Sequence, residues 1–161
     1  MTSLSTADLY DERGKQLQSV SLQLQNLGGR AHFAGAVRTV RCSEDNGLVK
    51  QVLATPGEGA VLVVDGGGSL RTALMGDLIA AAAVANGWAG VVIFGAVRDR
   101  RALRGIPLGI KALGSNPRKS SKAGEGEVDV VLTVDGVTFA PGATLVSDDD
   151  GILVERRQHA T

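Results

Sequence analysis

Two short aliphatic runs constrain this chain more than any other feature. They are Val61-Leu62-Val63-Val64-Asp65 and Val91-Val92-Ile93-Phe94, the second bounded by Gly90 and Gly95. Runs of this length without polar alternation read as strands buried on both faces, the kind found in parallel sheets. Between them, Asp77-Leu78-Ile79 opens a stretch of alanines and aliphatics that closes at Asn86-Gly87. An acid in the first turn and Asn-Gly at the end are start and stop signals for a helix. The pattern predicts a βαβ unit.

The geometry of that unit points to a site. A helix of ~11 residues runs back about 16 Å, and a strand of ~6 residues climbs about 20 Å. In a right-handed crossover, the helix N-terminus and the C-terminal end of the next strand share one edge of the sheet. Asp77 and the pair Arg98-Asp99, with twenty residues between Asp77 and Arg98, are therefore expected to meet. Open α/β sheets bind ligands at that edge.

The 161 residues fit one domain, 1–161, with room for a single core. Aromatics make up only 3%, so Val, Leu, Ile and Ala must fill that core. The lone Cys42 allows no intramolecular disulfide, suits a reducing cytosol, and reads as a small buried apolar residue. No apolar run follows a basic start, and none is long enough for a membrane span. A cytoplasmic protein is expected.

The net charge is zero, yet eight of the 17 basic residues fall between Arg98 and Lys122. From Glu125 to Glu155 every charge is acidic. The basic stretch would serve as a nucleic-acid patch, a solvated face or a field that attracts small anions. Without aromatic platforms for stacking, nucleic acid is not the expected partner.

Elsewhere, Thr6 to Arg13 reads as a helix capped by Ser5 or Thr6. A strand is expected at about Gly35 to Cys42, and a short helix from Leu48 to Leu53. Arg100 to Leu103 suggests one helical turn, and Leu108 to Leu113 a strand. Asn116 to Glu127 is polar and glycine-rich, a long loop of the kind that carries function. Val128 to Val134 and Val137 to Phe139 flank Asp135-Gly136, a hairpin signal. Strands at Ala143 to Ser147 and Ile152 to Glu155 follow, and the tail 156–161 is expected to fray. The overall expectation is an α/β fold with a central βαβ unit and a β-rich C-terminal part.

Each candidate site residue has a plain structural alternative. Asp77 would complement a helix dipole, and Asp99 would cap the turn that follows it. On a shared edge they gain another value. Main-chain N–H groups of Asp77, Leu78 and Ile79 would receive an anion, and Arg98 would grip a carboxylate or enolate with its fork. Asp99, completed by waters and substrate oxygens, would hold Mg²⁺. Asp65-Gly66-Gly67-Gly68-Ser69 lacks the helix and lysine of a phosphate loop, and its glycines read as room for backbone beneath a ligand. Asp148-Asp149-Asp150-Gly151 reads as an acidic turn, because no glutamate follows at calcium-loop spacing.

Several stretches together resemble one family. Gly28-Gly29-Arg30, Asp45-Asn46-Gly47, Val63 to Ser69, Gly95-Ala96-Val97-Arg98-Asp99 and Gly136-Val137-Thr138-Phe139 are similar to the family of the regulator of ribonuclease activity A. That family includes class II 4-hydroxy-4-methyl-2-oxoglutarate aldolases. The resemblance runs from about Thr6 to Glu155. It implies a swivelling β/β/α fold, a ring-shaped homotrimer and active sites in the clefts between subunits. Aldolase members carry Asp, twenty residues, then Arg-Asp, the spacing of Asp77 and Arg98-Asp99. By this resemblance Gly76, Asp77, Leu78 and Ile79 bind the pyruvyl end of the substrate, and Arg98 binds the reacting oxo acid. Asp99 holds a divalent cation, Mg²⁺ or Mn²⁺, and Asp77 orients water and moves a proton.

The implied activity is metal-dependent retro-aldol cleavage of a 4-hydroxy-2-oxo acid, with oxaloacetate decarboxylation through the same pyruvate enolate. The alternative is a non-catalytic partner that inhibits a ribonuclease, and members that only regulate tend to lack the Asp/Arg-Asp set. A demethylmenaquinone methyltransferase, a label once given to members, is the least expected. Larger aldolases add C-terminal structure that supplies an acid to the neighbouring subunit's site, where this chain offers Glu155 or its flanks.

Overall fold

The computed structural model describes residues 4–157. In chain order the elements are α1 (Thr6–Arg13), β1 (Leu17–Ser19), β2 (Gln25–Asn26), β3 (Phe33–Arg41), α2 (Gly47–Leu53), β4 (Val61–Asp65), α3 (Asp77–Ala85), β5 (Gly90–Val97), α4 (Arg100–Leu103), β6 (Gly109–Ser115), β7 (Glu127–Val128), β8 (Leu132–Val134), β9 (Val137–Phe139), β10 (Thr144–Asp148) and β11 (Gly151–Glu155). The fold is a mixed α/β domain around one sheet of order β1-β11-β10-β3-β4-β5-β6-β2, with β7 added to β3. The hairpin β8–β9 stands as a separate two-stranded sheet.

The aliphatic runs take the centre. β3, β4, β5 and β6 are parallel neighbours, and Val61 to Val64 and Val91 to Ile93 are fully buried. Both faces are covered, which is why these strands show no polar alternation. Leu62, Val64, Val91 and Ile93 pack with Val49, Leu53, Ala80 and Ala83 of the helices. Val61, Val63, Val92 and Phe94 face Leu132 and Phe139 of the hairpin together with Leu145 and Val154. The βαβ unit therefore forms as the sequence predicts, and α3 starts at Asp77.

The structure departs from the sequence reading in four places. β5 continues past Phe94 to Val97, with a register shift against β6 between Ile93 and Ala96. An irregularity of this kind re-aims the strand end, here the end that carries Arg98. The expected strand Val128 to Val134 divides, because Val128 pairs with Val40 of β3 whereas Leu132 pairs with Phe139. β1 and β2 carry no periodicity of their own and exist by pairing with β11 and β6. Of the tail expected to fray, Arg156 is instead held through its N–H to the Gln16 carbonyl at 2.9 Å, and 158–161 lie outside the described residues.

The charge segregation dissolves on folding. Asp129 accepts two bonds from the Arg38 guanidinium at 3.0 Å, and Glu127 pairs with Arg41 at 2.8 Å. Lys111 is buried and donates to the Asp148 carbonyl at 2.7 Å. Arg100 donates to Ser115 and Gln25. The basic stretch is therefore not one face.

The long loop is pinned. Asp45 is buried, 3% exposed, and its carboxylate accepts N–H bonds from Gly47, Gly124 and Glu125 at 2.9, 3.0 and 3.1 Å. The Asn46 and Ser121 amides donate to the Ser121 and Glu44 carbonyls, and Ala73 bridges to Lys119. Burial on its own would raise the Asp45 carboxyl, but the backbone N–H donors outweigh it and hold the group below its ordinary value. A depressed carboxylate stabilises the fold above its unfolded value of about 3.9, and that contribution is lost as pH falls through the folded value. Asp45→Asn turns one acceptor into a donor facing N–H groups, and is expected to cost about 1–3 kcal/mol at neutral pH. Urea denaturation of both proteins from pH 7 to below pH 4 checks this: the gap narrows as the medium becomes acid.

Candidate active site

The C-terminal end of β5 and the N-terminus of α3 meet as the crossover geometry requires. The Arg98 N–H donates to the Met75 carbonyl at 3.0 Å, which brings the strand end against the residue just before Gly76. The Asp77 N–H then donates to Asp99 Oδ2 at 3.0 Å. Asp99 therefore caps a helix, but not the one it precedes in sequence. It occupies the N-cap position of α4 without making a side-chain cap bond there, and its carboxylate satisfies the first N–H of α3 instead. This geometry needs φ 66° and ψ 42° at Asp99, a left-handed conformation that aspartate tolerates better than most residues.

Gly76 makes the junction possible. A Cβ at this position would lie 2.6 Å from Asp99 Oδ2 and 3.2 Å from Arg98 Cγ. Any side chain there pushes the carboxylate off the helix end. The Gly66 to Gly68 loop plays a different part from the one its sequence suggests. A Cβ on Gly66 would strike Leu74, Gly67 and Gly68 have positive φ, and none of the three lines the cleft described next. These glycines serve a turn and its packing.

A cleft of about 210 Å³ opens beside the junction. Gly76, Asp77, Leu78, Ile79, Arg98 and Asp99 all line it, so these six candidate residues fall on one cavity. Not every group remains available, since the Asp77 N–H is engaged by Asp99. An incoming anion would meet the amides of Leu78 and Ile79, among the first helical N–H groups, which have no partner one turn earlier. The Asp77 carboxylate makes no hydrogen bond or ion pair to a described residue. The Arg98 and Asp99 side chains are 37% and 36% exposed, with Arg98 Nε 4.0 Å from Asp99 Oδ2. Apart from a 3.5 Å contact from Arg98 to the Pro117 carbonyl, the fork is open to a ligand.

The cleft also contains residues that the sequence reading did not single out. Asn46 and Lys50 enter from α2 and its cap, and Lys119, Ser120 and Lys122 from the pinned loop. The Asp45-Asn46-Gly47 motif and the basic run were visible in the sequence, but nothing there brought them to this cavity. Glu155 does not line it; within one chain this residue sits on β11, paired with Arg13 at 3.6 Å. Cys42 is buried and its thiol is pushed up to about 11, chiefly by burial, so it remains a protonated core residue.

Among the described residues no group of three or more histidine, cysteine or acidic side chains converges. A closed, all-protein metal cage is therefore absent from them. Asp99 does fit a hard, hydrated cation, since Oδ1 accepts no hydrogen bond from a described residue. One carboxylate plus waters is the usual protein share of a Mg²⁺ site.

The fold and cleft define an α/β protein with an open cleft at the end of a βαβ crossover, lined by Asp77, Arg98 and Asp99. The chain belongs to the RraA-like family, matching the Aldolase/RraA model over residues 6–154. A Thermus thermophilus structure described as the RNA-processing inhibitor RraA is 49% identical, covering 99% of this chain and 96% of its own at a TM-score of 0.93. A Geobacillus kaustophilus structure described as an S-adenosylmethionine: 2-dimethylmenaquinone methyltransferase is 44% identical, covering 96% of both chains at 0.93. Streptomyces coelicolor RraAS2, described as an unusual member of the RNase ES inhibitor RraA family, is 29% identical over 94% of this chain and 79% of its own, at 0.74. Among the described residues no helix is long and apolar enough to cross a membrane.

The junction itself can be probed. Gly76 has φ −129° and ψ −162°, extended backbone open to any residue, so Gly76→Ala should fold. It should lose about 0.5–2 kcal/mol with the displaced cap. Amide NMR checks the cause: the Asp77 proton moves upfield as it loses its carboxylate acceptor.

Proposed function

We propose that this protein is a divalent-metal-dependent carbon–carbon lyase that cleaves 4-hydroxy-2-oxo acids, such as 4-hydroxy-4-methyl-2-oxoglutarate, to pyruvate. The observation that carries this reading is the meeting of Asp77, Arg98 and Asp99 over the free amides of α3. A regulator has no evident need for an open guanidinium, a strained carboxylate and a helix N-terminus facing one cavity. Strain of this sort is concentrated at functional sites.

In this reading the substrate carboxylate lies against the Leu78 and Ile79 amides, and the Arg98 fork takes the 2-oxo oxygen. Asp99 would hold the cation, which when bound supplies Lewis-acid polarisation of that oxygen. Cleavage removes the proton from the C4 hydroxyl, breaks the C3–C4 bond and leaves an enolate, whose C3 is then protonated to give pyruvate. Arg98 stabilises the developing oxyanion, an effect on the order of 3 kcal/mol per well-placed donor. Asp77, whose carboxylate is unengaged, carries a proton between the cleft and water. Oxaloacetate would lose CO₂ through the same enolate.

A second reading is supported by two relatives of known structure. They are described as inhibitors of RNA processing or of a ribonuclease, so this chain would bind a ribonuclease without chemistry of its own. A methyltransferase reading draws no support from the cleft, which the loop after β4 does not line.

The readings separate on conservative substitutions. Asp99→Asn retains a residue that tolerates the left-handed backbone and an oxygen for the Asp77 N–H, but loses the charge. Arg98→Lys retains charge and loses the planar fork. A lyase should lose tenfold or more in kcat/KM for oxaloacetate decarboxylation in either variant, equivalent to about 1.4 kcal/mol, and should stop in excess chelator. If wild type and both variants match free Mg²⁺, the regulator reading takes over.

The proposal includes a homotrimer with clefts between subunits, as the family resemblance implies. Leu78 stands 82% exposed at the cleft rim, a large apolar side chain that a neighbouring subunit would cover. Light scattering is expected to give a mass near three chains; an active monomer would overturn the assembly.

A further inference from the structure

We infer that α1 is a strap that opens from the sheet as a unit, hinged at Gly14 and latched by Asp148, while the rest of the domain stays folded. Neither reading of the cleft uses this helix. Its sequence gives it little reason to be helical alone. Eight residues fall short of the ~12–15 that an isolated helix needs in water. Only Thr6 and Leu9 are buried, whereas Asp8, Tyr10, Asp11 and Glu12 are exposed. The segment is a helix because it is docked, so undocking and unwinding are one event.

The docking is concentrated at two points. At the N-terminal end the Asp148 carboxylate accepts from the Thr6 N–H at 2.8 Å and from the Thr6 hydroxyl at 2.6 Å. A carboxylate at a helix start is favoured by the exposed N–H groups there. Asp148 is itself fixed on the body side. Its Oδ1 also accepts the Asp150 N–H at 3.0 Å, and its carbonyl accepts from the buried Lys111 ammonium at 2.7 Å. In the middle of the helix a single leucine, Leu9, joins the buried cluster of Leu17, Ala34, Val146 and Leu153.

The remaining contacts are loose. A groove of about 210 Å³ runs between Thr6, Ala7 and Tyr10 of α1 and Ser19, Val20 and Ile152 of the body, so the helix does not seat fully on the sheet. The ion pair of Arg13 with Glu155 spans 3.6 Å between partly exposed side chains, a contact of little weight. Arg13 already leaves helical geometry, with φ −129° and ψ 20°, and Gly14 supplies backbone freedom at the hinge. Beyond it, β1 is paired to β11 from Leu17 onward. Release of α1 therefore breaks the two bonds to Asp148 and uncovers one leucine, and leaves every strand pair intact.

Hydrogen exchange on the intact protein, read residue by residue by NMR, tests this. In wild type the amides of residues 9–13 should exchange about a hundredfold faster than those of Val63 and Val92, through local opening. Thr6→Val keeps the branched shape, leaves the Asp148 bonds to Asp150 and Lys111 in place, and removes one donor to the latch. Asp148→Ala removes the latch itself, and Leu9→Ala the apolar contact. Each should accelerate the amides of 9–13 by a common factor, about tenfold for Asp148→Ala, with Val63 and Val92 unchanged. Amides of α1 that exchange as slowly as Val63 and Val92 overturn the strap. So does a Thr6→Val protein in which both regions accelerate equally, or in which α1 does not accelerate at all.

Discussion

The hydrogen bond from the Asp77 N–H to the Asp99 carboxylate at 3.0 Å is the interaction on which the rest of the site depends. It joins the beginning of a helix to the end of the next strand, across a crossover that fixes their handedness. Each end makes a concession. Asp99 adopts a left-handed backbone, of the kind that costs on the order of 1 kcal/mol outside glycine, and a side chain at position 76 would displace its carboxylate from the helix end. In return the helix gains a charged cap at its positive end, and Arg98 is fixed beside the next free amides. A cation at Asp99 would sit where helix dipole, carboxylate and guanidinium already converge.

The second requirement is a closed wall, and it comes from Asp45. A carboxylate with no ion pair to a described residue is kept charged in a buried position by backbone N–H groups from its own turn and from residues 124 and 125. These bonds turn a polar, glycine-rich loop into a fixed side of the cleft. The loop then presents Lys119, Ser120 and Lys122 inward. The same economy governs the acidic C-terminal part, where Glu127 and Asp129 neutralise arginines of β3. Charges that look segregated along the chain are paired through the sheet.

The family that this chain joins includes aldolases as well as inhibitors of RNA processing, and the architecture makes that range intelligible. A sheet covered by helices on one face and a β-hairpin on the other leaves its ligand edge free to vary without disturbing the core. In the lyase reading proposed above, chemistry at that edge would need only a few side chains, at Asp77, Arg98 and Asp99. Function therefore has to be argued from those groups and the cavity they line, since the fold serves either role.

Much of this was legible in the residues. The unbroken aliphatic runs of β4 and β5, the first-turn acid and the Asn-Gly stop of α3 are local signals, set by burial on two faces and by helix ends. The handedness of a crossover then brings Asp77 toward Arg98-Asp99 without further information. Other features were decided only by tertiary structure. That Asp99 caps α3 rather than α4 depends on a strand running three residues beyond Phe94, with an irregularity that no periodicity encodes. Gly76 looks like any turn glycine until the carboxylate that would meet its Cβ is in position. β1 and β2 exist because partners offer them hydrogen bonds. Lys50 and Lys122 lie 72 positions apart in the sequence, and only the clamp at Asp45 brings both to one wall. Signals between near neighbours survive in a one-dimensional pattern, whereas contacts made by folding distant segments together do not.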